Sequence, residues 1–200
     1  MDRKTTKQRT LKLVQLAILL AVTVVLQYIG NFIPLVTGIN LTLIPLVVGA
    51  ALLGPTGGTI LGLTCGVMTL MTPMAQGIMN FSPVMALLIC LGKTGLAGFA
   101  AGWIYRLLAK KNKHAGIAVA SVAAPIINTG VFVCGCSLLL EHFRVSQDFG
   151  VLPAETTVAG FLGIICTAIA ANFIVEFLIN AIASTAIYQV INVVERQFKK

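Results

Sequence analysis

The chain has 200 residues and a net charge of +8, yet it is 58% hydrophobic and only 10% charged, with a mean hydropathy of +0.96. A soluble domain carries roughly a quarter of its residues as charges, so the composition excludes one, and apolar stretches near the ~20 residues that cross a bilayer recur along almost the whole length. The basic excess then reports membrane topology rather than a nucleic-acid surface, and the sequence predicts one all-α integral membrane domain over residues 1–200, a bundle of six transmembrane helices.

In chain order, the first span is predicted at 11–33, Leu11 to Ile33, too long and too poor in a cleavage site for a signal peptide. Pro34 to Asn40 reads as a loop. A short second span at 41–53 is followed by the tight turn GPTGG, Gly54 to Gly58, and a third span at 58–71, the two forming a hairpin. TPMAQGIMNFSP, Thr72 to Pro83, reads as a polar loop bracketed by prolines. The fourth span covers 84–108 and ends at AKKNKH, the fifth covers 115–140, EHFRVSQDFGVLPAE is the longest loop, and the sixth covers 158–190, longer than a bilayer requires.

Six spans put both termini on one side. Arg3, Lys4, Lys7, Arg9 and Lys12 precede the first span. Arg106, Lys110, Lys111 and Lys113 separate the fourth from the fifth, and Arg196, Lys199 and Lys200 close the chain. The positive-inside rule makes all three sites, and so both termini, cytoplasmic.

Lys93 then acquires a neighbourhood. At ~1.5 Å per residue it lies about 20 Å from the cytoplasmic end of its span, near the midplane, and Asn128 and Glu176 fall at the same height on the fifth and sixth spans. A charge at that depth costs on the order of 3 kcal/mol without a partner, so Lys93 and Glu176 are expected to face the bundle interior. Asn172, Glu176, Asn180 and Ser184 recur every four residues and share one helix face. Two readings follow. In one, Lys93 pairs with Glu176 and the asparagines bond across helices, a packing device. In the other, the belt is a solute pocket in which Lys93 offers a cation to a carboxylate while Asn128, Thr129 and Asn172 orient the ligand.

Other chemistry is excluded. Gly92, Lys93 and Thr94 imitate the end of a phosphate-binding loop, but Leu87 stands where its first glycine belongs and the flanks are apolar helix formers. Cys65, Cys90, Cys134, Cys136 and Cys166 all fall inside spans without ligand spacing and read as buried thiols. His114 and His142 lie in loops on opposite sides. No metal, cofactor or hydrolase constellation is recognisable. Glycines four apart, Gly58, Gly62 and Gly66, then Gly98 and Gly102, read as close helix packing.

Ala17 and Ala21 in QLAILLAV form an AxxxA pair on the first span. With a basic N-terminus before them, LTLIPLVVGAALLGPTGG after them, and PIINTGVF and NFIVEFLIN in the fifth and sixth spans, the chain resembles the substrate-binding S components of energy-coupling-factor vitamin transporters. The resemblance covers essentially the whole chain and is nearest to the pantothenate-type branch. It implies a multi-pass protein of the bacterial cell membrane that is not itself an enzyme. Such a protein captures a vitamin from outside and docks on a transmembrane T component, while two separate ATPase subunits supply the energy. Carried over by position, Ala17 and Ala21 are the docking residues and Lys93, Asn128 and Asn172 pocket residues. Asn40 and the segment from Gln76 to Asn80 form the lid, and Glu176 is expected as the pocket floor. Pantothenate is the expected vitamin; riboflavin, folate and pyridoxine-type ligands stay open. A small channel or structural subunit is the competing class, but a channel repeats polar residues along its whole path, whereas this chain has a single belt.

Overall fold

The computed structural model describes residues 3–31, 40–140 and 157–198, and every regular element among them is an α-helix. In order these are α1, Arg3–Asn31; α2, Leu43–Thr69; α3, Pro73–Phe81; α4, Pro83–Leu108; α5, Lys113–Ser137; and α6, Val158–Phe198. Five of them, all but α3, contain segments long and apolar enough to cross a membrane. Large apolar side chains such as Leu13, Ile18, Leu88, Leu96, Ile174 and Ile182 point outward, as expected where the solvent is hydrocarbon.

The hairpin read at 41–53 and 58–71 lies within α2. Its two arms belong to one helical segment that folds back at Gly54, whose φ of +81° and ψ of −173° suit only a residue without a Cβ. Pro55 follows as the first residue of the second arm, where its missing N–H costs nothing. Contacts across the fold show the reversal: Thr42 Oγ1 lies 2.8 Å from Cys65 Sγ, and a Cβ on Gly58 would come within 2.9 Å of the Ala50 side chain. A straight helix would hold Thr42 and Cys65 about 35 Å apart at 1.5 Å per residue. The 11 residues of the first arm reach only about 16 Å and the 15 of the second about 22 Å, both short of a ~30 Å hydrocarbon core.

The second arm packs against α4 backbone to backbone. A Cβ on Gly62 would collide with the Thr94 carbonyl, one on Gly98 with the Gly58 carbonyl, and one on Gly66 would sit 2.7 Å from the Cys90 oxygen. The glycines therefore act as the sequence suggests, letting two helices approach without intervening side chains. At the end of this seam Gly102 meets Pro55, so the Gly54 turn lies at the same end of the bundle as the 109–112 turn between α4 and α5.

Two further expectations change. Thr72 to Pro83 is not a loop: Pro73 starts α3, which buries Ala75 and Ile78, and extended Ser82 with Pro83 separates it from α4. The cysteines are not uniformly buried, since Cys134 and Cys166 face outward while Cys65, Cys90 and Cys136 are enclosed. α5 begins two residues before the predicted span, with Asn112 accepting the Ala115 N–H at 3.2 Å, and α6 runs eight residues past its predicted end at Val190. Most of the loop after α1 and the whole of EHFRVSQDFGVLPAE lie outside the described residues.

Gly98→Ala should lower the melting temperature of the detergent-solubilised protein, at a cost of about 1–3 kcal/mol for overpacking against backbone that cannot yield. Gly92→Ala has open space around the new methyl and should leave melting unchanged or slightly raised; equal losses in the two variants would contradict the close seam.

Candidate functional site

The apolar core is divided in two. One cluster joins the first arm of α2 to the end of α4, the start of α5 and the end of α6, through Leu46, Tyr105, Ile117, Ala120, Ile187 and Ile191. The other joins α3 and the start of α4 to the end of α5 and the start of α6, through Ile78, Ile89, Cys136, Phe161, Ile165 and Ile169. α5 and α6 are antiparallel, with the His114 and Tyr188 rings 4.9 Å apart at one end. Between the clusters this register leaves a layer in which Ser121 and Asn128 of α5 stand level with Asn172, Glu176 and Asn180 of α6. All five are buried.

Glu176 is the carboxylate of this layer. The other five Asp and Glu residues lie at the N-terminus, in the 141–155 segment or near the C-terminus. Its Oε1 accepts the Asn40 backbone N–H at 3.0 Å, tying α6 to the residue that leads into α2. Asn40 Oδ1 in turn accepts the Thr42 hydroxyl, and Thr42 touches Cys65 on the second arm of α2. The Cys65 thiol reaches Gln27 Oε1 of α1 at 3.5 Å. The chain of contacts thus draws four separate parts of the sequence to one point. Charge-assisted bonding of this kind offsets part of the cost of holding a carboxylate at membrane depth.

Lys93 enters the same layer from α4 but does not pair with Glu176. Its ammonium lies over the Phe132 ring, 4.8 Å from the centroid, and among the described residues no ion pair joins it to a carboxylate. Phe132 follows Asn128 by one helical turn, so the same face of α5 presents an amide and an aromatic ring. Among the described residues no group of three or more His, Cys, Asp or Glu converges on a metal position.

Of the residues singled out from sequence, Lys93, Glu176, Asn40, Asn128 and Asn172 belong to the belt, and Thr129 is half-buried beside Asn128. The expected Lys93–Glu176 pair is replaced by separate partners, with Lys93 over the Phe132 ring and Glu176 fastened to the Asn40 backbone. Gln76 and Asn80 sit on the exposed side of α3, where Gln76 Nε2 donates to the Leu70 carbonyl at 2.8 Å. Ala17 and Ala21 are exposed on α1.

Gln27, Thr42, Cys65 and Phe132 were not anticipated. A signal for the first existed: Thr23, Gln27 and Gly30 are the buried positions among the described side chains of α1, and their i, i+4, i+7 spacing makes a polar or small inward stripe on an otherwise lipid-compatible helix.

Compared with known families, the chain matches the family model described as thiamine transporter protein over residues 13–137, more than half of its length and all of α2 to α5. No curated protein matches the chain.

Asn128 Oδ1 is buried with no hydrogen-bond partner among the described residues. Asn128→Leu removes that orphan acceptor and should hold or raise the melting temperature of protein purified without ligand. The same substitution should abolish ligand-induced stabilisation. A large loss of intrinsic stability instead would make Asn128 a packing residue.

Proposed function

Because the chain belongs to the thiamine transporter protein family, we propose that it captures thiamine at the outer side of a bacterial cell membrane as the S component of an energy-coupling-factor importer. The family match replaces the pantothenate expected from local sequence resemblance. Thiamine carries a permanent thiazolium cation and an aminopyrimidine whose edge holds both donors and acceptors. A buried carboxylate is the counter-charge such a ligand needs, and the observation that carries the reading is Glu176, held at the convergence of α1, α2 and α6. Asn128 and Asn172 supply amides for the aminopyrimidine, and the Phe132 ring supplies a face for a cation.

Transport in this reading follows from partners. Ala17 and Ala21 lie on the outward side of α1, leaving small residues free for close helix contact with a T component. ATP hydrolysis is assigned to two separate ATPase subunits. The two arms of α2 count as two of six spans, and both termini are cytoplasmic by the positive-inside rule.

Thiamine should raise the melting temperature of the purified protein in a concentration-dependent manner, following RT ln(1 + [L]/Kd). Glu176→Gln should weaken binding by about 2 kcal/mol or more, some thirtyfold, the range for removing one side of a buried charge pair. Stabilisation by pantothenate and not by thiamine would overturn the assignment of the vitamin. Ala17→Trp combined with Ala21→Trp should abolish uptake into cells while preserving thiamine affinity; undiminished uptake would remove α1 as the docking face.

A further inference from the structure

The position of Lys93 is difficult to account for by packing. A cation at this depth normally finds a carboxylate, and Glu176 belongs to the same layer, yet the ammonium sits 4.8 Å above the centre of the Phe132 ring. Glu176 meanwhile is occupied on Oε1 by the Asn40 N–H. Lys93 is half-buried on a flexible four-carbon stem, so its head group can leave the ring without moving the helix. The ring face is the kind of surface that attracts a cationic ligand, since the negative face of an aromatic quadrupole recognises ammonium and heteroaromatic cations alike.

We propose that Lys93 is a tethered competitor for the cation subsite of the pocket: its ammonium and the cationic ring of the ligand take the same face of Phe132, one at a time. This rests on the assignment of a thiamine-like cation as ligand. The lysine sets affinity by opposing capture, and its return to Phe132 favours release. It also gives the pocket specificity, because a neutral ligand of the same shape has less to gain from displacing it. The class of ligand is thereby narrowed to molecules whose cationic charge is carried on a flat heteroaromatic ring that can replace an alkylammonium over benzene.

The test compares thiamine with its neutral thiophene isostere by isothermal titration of the purified protein. Lys93→Met keeps most of the length of the side chain and removes its charge, and should tighten thiamine binding on the order of tenfold, the scale of one desolvated cation–π contact. The isostere should gain much less. Phe132→Leu should weaken thiamine binding, and in the Lys93→Met, Phe132→Leu double variant the gain should disappear. Lys93→Gln serves as the second uncharged variant should Lys93→Met fold poorly. Weaker or unchanged thiamine binding in the uncharged variants would overturn the proposal, as would equal gains for thiamine and the isostere. If the unmodified protein and all variants fail to bind thiamine, it is the assignment of the vitamin that falls.

Discussion

The closest constraint in the molecule is the seam between the second arm of α2 and α4, where carbonyl oxygens of one helix occupy the places that side chains would take on the other. Gly58, Gly62 and Gly66 face Gly98, Thr94 and Cys90 in successive turns. In lipid there is little hydrophobic drive to press two apolar helices together, so close van der Waals contact between backbones has to do so. The rest follows in register: the seam places Cys65 beside the level of Lys93, and the Gly54 turn returns the chain so that Thr42 lies against Cys65. The polar layer is thus assembled beside a hairpin whose second arm is held against α4 backbone to backbone.

A second organising feature is the separation of the apolar core into two clusters with polar groups between them. Hydrocarbon offers those groups no hydrogen bonds, and each must be satisfied within the protein or by what the protein binds. Glu176, Asn40, Thr42, Cys65 and Gln27 are linked to one another, whereas Asn128 and Asn180 retain buried amide oxygens without partners among the described residues. A layer that is rigidly bonded on its α1/α2 side and under-satisfied on its α5/α6 side is suited to accept a polar solute against the latter.

Much of this belt was legible in the sequence, and the reason is physical. Lysine, glutamate and asparagine are expensive in apolar spans, so their presence at equal heights marks an interior layer whatever the fold. Cys65 and Phe132 carry no such mark, because a thiol or a benzyl group is as acceptable to lipid as to a pocket. The pairing of Lys93 with Glu176 was the simplest electrostatic solution, but it was not legible that a backbone N–H from Asn40 and the face of Phe132 would divide the two charges. α3 escaped for a different reason: nine residues mixing Gln76, Gly77 and Asn80 with two flanking prolines have turn-like composition, and only packing of Ala75 and Ile78 on the bundle makes them helical. GPTGG announced a reversal, yet the identity of the residue that bears it, Gly54, depended on backbone angles.

The non-helical backbone at Asn40–Thr42 stands at the depth of Glu176, well within the thickness that α4 spans. Irregular backbone is tolerated at such depth only where protein encloses it or where it borders a hydrated cavity. From this level the first arm of α2 reaches the Gly54 turn in about 16 Å, packed beside Tyr105, Ile117, Ile187 and Ile191. The layer at the level of Glu176 is therefore separated from that end of the bundle by a short apolar core rather than by the length of a full spanning helix.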